Sequence, residues 1–325
     1  MKKSVFFVCF TLSMIVMAFA VANAEWKPEI KYLTVYSGTL GGGWHPIGAL
    51  TGEIIHEAIP EIITTPGPGG GVANAKVVET GTGVMGMCMS NTQYEAYQGL
   101  SPFEKPYKNI RHLISLYIFP HVWIVRKDSD IRSFDQLKDK RISTGKPGQT
   151  TFVMGQSLLK LFGLTFESIR ASGGVVSNLG DGERVNMLVD KNLDAISLMA
   201  PISHANFLSM KMRPGIRLLS INKEKLDKYI QENPGTIVYD IPRKTFEKDQ
   251  EEDIQTAATV TTLICRADLS NELVYRITKA IVEKQSKYLQ YVPAQDLIIS
   301  KPLWGNMIPI HPGAERYYRE RGFLK

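Results

Sequence analysis

Cysteine is scarce in this chain: Cys9, Cys88 and Cys265 are the only three in 325 residues. That excludes a disulfide-built scaffold. Cys88 and Cys265 each sit in an apolar, strand-like run, Val84 to Met89 and Thr259 to Cys265, and the spacing leaves both a disulfide and two buried thiols open. The six histidines (His45, His56, His112, His121, His204 and His311) form no i, i+4 pair and have no cysteine partner, so no metal site is expected. Nucleotide signatures are missing too. No glycine-rich turn ends in Gly-Lys-Ser/Thr, and none completes Gly-x-Gly-x-x-Gly before an acidic residue. Ser203 and His204 are adjacent, which is poor geometry for a nucleophile and its base. The balance of 38 Lys and Arg against 32 Asp and Glu gives a net charge of +6. The basic residues are scattered, which argues weakly for acidic ligands and not at all for nucleic acid.

Long apolar runs are absent except at the start. Lys2 and Lys3 precede Val5 to Val21, which is almost wholly apolar, and Ala22-Asn23-Ala24 has the form of a signal-peptidase site. Residues 1–24 are therefore expected to be a leader that directs the chain to the periplasm. Cys9 lacks the small residues that precede a lipidated cysteine. About 300 residues then remain, comfortable for two domains and ample for a core.

What is abundant is glycine at strand ends. Lys31 to Tyr36 alternates like a strand, Ser37-Gly-Thr-Leu-Gly-Gly-Gly-Trp-His-Pro-Ile-Gly48 follows, and Ala49 to Ala58 reads as a helix. Strand, glycine turn and helix leave backbone N–H groups free at a helix N-terminus, where they can hold an anion. The arrangement recurs at Pro66-Gly-Pro-Gly-Gly-Gly71 before a helix from Val72 to Glu79, and at Gly145-Lys-Pro-Gly-Gln-Thr-Thr151 before a helix to Phe162. Val84 to Met89, Leu113 to Val125, Asp194 to Met199, Arg217 to Ile221 and Thr256 to Ile264 read as strands. Ser172 to Gly182 reads as irregular, with a helix from Glu183 to Val189, and Lys223 to Asp253 as polar and charged. Alternation of strand and helix predicts an α/β fold in two lobes. The expected division is 25–124 plus 260–325 for lobe 1 and 125–259 for lobe 2, with crossings near Trp123 and Thr261 as the hinge.

The tail Pro309-Ile-His-Pro-Gly-Ala-Glu-Arg-Tyr-Tyr-Arg-Glu-Arg-Gly322 is the most distinctive stretch. With the leader, the first glycine turn and Asn91-Thr-Gln-Tyr-Glu-Ala-Tyr97, it resembles the TAXI family, extracytoplasmic solute receptors of tripartite (TRAP-type) transporters. The resemblance spans essentially all of the chain after the leader, including Ile131 to Lys140 and Leu193-Asp194-Ala195. It implies a two-lobed periplasmic-binding-protein fold of type II, closing on one small organic acid, glutamate-like or a dicarboxylate. It also implies no cofactor, no chemistry, and delivery to the membrane subunits of a TRAP transporter; a monomer is expected. Departures from the family pattern fall at Gly42-Gly43-Trp44, Gly70-Gly71, Asn91 and Gly148-Gln149-Thr150-Thr151.

The expected ligand-binding residues are Gly42, Gly43, Trp44, Gly71, Val72, Asn91, Gly148, Gln149, Thr150 and Thr151. Backbone N–H groups of three turns could hold a carboxylate without a fixed arginine. Lys146 could add a positive field or be merely solvated. Trp44 could stack on a ligand or pack against the neighbouring helix. Asn91, where the family favours an acid, points to a carboxylate lacking an α-amine. His311 is expected to fix the tail, and Glu315, Arg316, Arg319 and Arg321 to form a solvated, ion-paired surface. A secreted two-lobed hydrolase or dehydratase is the alternative, and it would need an acid–base pair for which Glu95 finds no partner.

Overall fold

A computed structural model of the chain describes residues 26–212, 215–246 and 250–324. The expected leader, residues 1–24, lies outside them. Strands β1 (Tyr32–Tyr36), β2 (Ile63–Gly67) and β3 (Met85–Met89) alternate with helices α1 (Trp44–Ala58) and α2 (Gly71–Thr80), and α3 (Ser90–Gln98) follows β3. β1 pairs in parallel with both β2 and β3. A second such unit contains β5 (Arg141–Thr144), α4 (Thr150–Lys160), α5 (Phe166–Ala171), β6 (Val175–Asn178), α6 (Asp181–Val189) and β7 (Ala195–Met199). β5 pairs in parallel with β6 and β7. Parallel strands need helical crossovers, which is why each unit is coated by helices and its strands read as nearly continuous apolar runs.

Two long strands join the units. β4 (Ile110–Arg126) pairs antiparallel with β10 (Ile254–Arg266) as far as Pro120, and from His121 onward it pairs with β7 and then with β8 (Ile216–Leu218). β10 pairs with β9 (Thr236–Ile241) over its first half and with β3 over its second. Each of these two strands thus pairs with different neighbours along its length and links the two parallel units. The sheet order is β2-β1-β3-β10-β4-β7-β5-β6.

Two segments differ from expectation. Ser172 to Gly182 holds strand β6, and α6 begins at Asp181 rather than Glu183. The polar stretch from Lys223 holds α8 (Lys223–Glu232), preceded by α7 (Ala205–Met212), and β9. Cys88 and Cys265 are free, buried thiols. They stand three positions out of register on β3 and β10, where Cys88 faces Thr262 and Cys265 faces Met85. Helix α9 (Asn271–Glu283) packs against α10 (Pro312–Glu320), whose start is capped by His311 accepting from the Gly313 amide at 3.1 Å. His311 therefore fixes the tail as expected, and Arg316–Glu272 and Arg319–Glu315 are ion pairs. Among the described residues no helix is long and apolar enough to cross a membrane.

Candidate functional site

The carboxyl ends of the parallel strands of both lobes point toward one crevice. In open α/β sheets that is where the chain leaves a strand, turns and starts a helix, so backbone donors collect there. The turn after β1 uses Gly41 at φ 78° and the turn after β5 uses Gly148 at φ 89°, conformations that side chains with a Cβ avoid. Asn74, fully buried, ties the first two turns together. Its side-chain amide donates to the carbonyls of Ser37 (2.8 Å) and Met87 (2.9 Å), and its Oδ1 accepts from the Gly70 amide (3.3 Å).

A cavity of about 40 Å³ lies where these turns meet, where a single water needs roughly 10–15 Å³. It is a small, partly open cleft with room for a few waters. From lobe 1 it is lined by Gly38, Thr39, Gly42, Gly43, Trp44 and Gly69 to Gly71, with Met89 and Phe119. Lobe 2 contributes Gln149, Thr150, Thr151, Asp181 and Met199. Four helix N-termini, those of α1, α2, α4 and α6, thus converge on one space. None of the four has a side-chain cap. α5, α8, α9 and α10 are capped by Thr165, Asn222, Ser270 and His311, whereas α3, whose start does not line the cavity, is uncapped as well. Uncapped N-termini keep their positive dipole ends toward an anion, although at α2 the Gly70 amide is taken by Asn74 Oδ1 and the Ala73 amide by Gly148 O.

The lobes touch around the cavity. The Ala73 amide donates to Gly148 O at 3.1 Å, the Thr92 and Thr150 hydroxyls are 3.0 Å apart, and Gln149 Nε2 reaches Thr39 Oγ1 at 3.4 Å. Gln149 also folds its own turn, accepting from the Lys146 amide at 2.6 Å. Trp44 is 6 % exposed; its indole N–H donates to Thr261 Oγ1 at 3.2 Å and its ring lies 5.8 Å from Phe119. It is a core residue with one edge on the cavity.

Seven of the ten expected residues line the cavity: Gly42, Gly43, Trp44, Gly71, Gln149, Thr150 and Thr151. Val72, Asn91 and Gly148 are not among the lining residues. Gly148 serves the interlobe contact through its carbonyl. Asn91 sits in the first turn of α3, under lobe 2, and its side chain donates to Glu95 Oε1 at 3.3 Å. Ser90 of the same turn donates to Gly235 O and accepts from the Val260 amide. The α3 N-terminus is thus covered by the chain around Gly235 instead of opening on the cavity. Lys146 is exposed, with its ammonium near Gly180. Asp181 escaped the sequence reading because it fell within a stretch read as irregular. Its position after a strand and glycine, at a helix start, is the signal that would have found it.

Residues 35–322 match the model of the NMT1-like family. The chain belongs to the NMT1-like family. Among solved structures, this NMT1-like chain is similar to MatC from Rhodopseudomonas palustris with bound malate, at TM-score 0.58 and 13 % identity, covering 91 % of this chain and 100 % of that one. It is also similar to a structure described as a periplasmic transporter (TM-score 0.57, 13 % identity, 90 % and 93 % covered). A third is PhnD1 from Prochlorococcus marinus in complex with methylphosphonate (TM-score 0.53, 12 % identity, 90 % and 99 % covered). At these identities the likeness is one of fold, the two-lobed periplasmic-binding-protein architecture.

Proposed function

We propose that this protein is an extracytoplasmic solute receptor that captures a small carboxylate between its lobes and hands it to a membrane permease. The observation that carries the reading is the convergence of four helix N-termini without side-chain caps on one interlobe cavity. Oriented amides and helix dipoles can replace a fixed cation there, and in a water-poor space they must be in place before the ligand arrives. We place the lobe boundaries near residues 124 and 260; the changes of partner on β4, between Pro120 and His121, and on β10, between Thr259 and Thr261, support this division. The TAXI-like tail and glycine turns favour a TRAP-type permease as the partner, a monomeric receptor, no cofactor and periplasmic residence.

The reading includes no chemistry. Asp181 is ion-paired with Arg184, and Glu95 is not among the residues that line the cavity. The test is to incubate the purified protein with a panel of small organic acids, following melting temperature and product together. A ligand-dependent rise in melting temperature without product is expected. Turnover of any acid would replace the receptor with an enzyme, and no response to any acid would remove the carboxylate.

A further inference from the structure

An acidic side chain in a cavity built for an anion needs a reason. Asp181, in the first turn of α6, is 9 % exposed. Its Oδ1 is ion-paired with Arg184 Nη2. Arg184 is fully buried, and its two remaining bonds go to protein carbonyls, Nε to Ser197 O and Nη1 to Leu179 O, both at 2.8 Å. The guanidinium is therefore committed to the protein and holds the carboxylate in one orientation. Behind it, Ser197 Oγ is 2.6 Å from His121 Nε2 on the long strand β4, so the anchor is rooted in the lobe 2 sheet. Among the described residues Oδ2 has no hydrogen-bond partner. It faces the first glycine turn across the cleft, at the place where a Cβ on Gly42 would lie 2.5 Å from it. The pair is neutral overall, so amide donors can still hold an anion nearby, but the exposed oxygen only accepts.

We infer that Asp181 is a specificity-determining residue that selects ligands carrying a hydrogen-bond donor, a hydroxyl or a protonated amine, beside the bound carboxylate, and rejects a second anionic group there. A donor beside the bound carboxylate satisfies Oδ2, the one acceptor of Asp181 that Arg184 leaves free. A second carboxylate would meet a fixed like charge, which is unfavourable. The inference rests on the carboxylate-receptor reading and adds what stands next to that carboxylate.

Isothermal titration of the protein with four three-carbon acids tests it: propanoate, lactate, alanine and malonate. Lactate or alanine should bind at least tenfold more tightly than propanoate, and malonate most weakly. The tighter of lactate and alanine identifies the donor as hydroxyl or ammonium. In Asp181→Asn, which keeps an acceptor for Arg184, the advantage of alanine over propanoate should fall at least tenfold and malonate should gain affinity. Propanoate binding as tightly as lactate and alanine, or an unchanged ranking in the folded variant, would overturn the role of Asp181 while leaving the carboxylate site standing. Binding of none of the four would overturn both. Should the variant not fold, the wild-type ranking alone decides.

Discussion

The hydroxyls of Thr92 and Thr150 lie 3.0 Å apart, both buried, one on α3 of the first lobe and one at the start of α4 of the second. This bond exists only while the lobes are together, and Thr92 is not among the residues lining the cavity. Thr92→Val keeps the shape and removes the bond, leaving Thr150 to find water or go unpaired. One such loss costs about 1 kcal/mol. Ligand affinity should fall about fivefold. Calorimetry on the two proteins decides it; equal affinities would mean that the bond contributes nothing to closure.

Gly70 makes a stiffer contact. A Cβ there would lie 2.9 Å from Gly148 O and 3.0 Å from Gln149 Cα, both backbone atoms of the opposite lobe. Gly70→Ala is thus a wedge that cannot be relieved by turning a side chain. Its φ of 176° is extended backbone that alanine adopts freely, so the effect is on closure and not on the turn. Affinity for the best acid of the panel should drop tenfold or more, and small-angle scattering should show a weaker ligand-induced contraction than in the wild type. A contraction of wild-type size would refute the wedge.

Much of this fold was legible because glycine turns mark the strand ends. β1, α2, β3 and β7 are found within one or two residues of their expected limits, since apolar periodicity and glycine agree there. β6 was missed because its Val175-Val176 core is short and lies between Gly174 and the polar Ser177-Asn178. β9 was missed because it sits beside β10 in a polar setting and its interior positions alternate half-buried with exposed, burying only Thr236 and Ile241 at its ends. For the site, turn chemistry found seven lining residues. It misplaced Asn91, because only tertiary structure reveals that the chain at Gly235 lies over that helix start. A helix start looks the same in sequence whether it faces a ligand or another loop.

Trp44 shows how one residue can serve both a core and a cavity. Its ring packs on Phe119 and its N–H donates to Thr261, so removal leaves a hole in lobe 1 and costs Thr261 one of its partners. Trp44→Ala should lower stability by about 3–5 kcal/mol, read by urea denaturation. Trp44→Phe should recover most of it. Because an edge of the ring lines the cavity, a bound acid should also change the fluorescence assigned to Trp44, by comparison of the wild type with Trp44→Phe. No such change on saturation would place the ligand elsewhere.

Glu95 supplies a pH test away from the cavity. Burial pushes its carboxyl up to about 7, against the opposing bond from Asn91. Glu95 Oε2 and Asn91 Oδ1 are both buried without a partner, and a proton on the acid would serve them. The folded chain therefore holds a proton that the unfolded chain releases from about pH 4.5 upward. Stability from this group falls as pH rises from 4.5 to about 7 and is level above that, a change of about 1–3 kcal/mol. Exposed pairs such as Glu57 with Lys284 and Lys287 have the opposite sign, their stabilisation fading as pH drops from about 4.5 toward 2. The two effects occupy different windows, so Glu95→Gln isolates the first. Denaturation at pH 5 and pH 7.5 should show the variant gaining on the wild type at the higher pH. Parallel curves for the two proteins would mean that Glu95 is ionised and hydrated in the native state.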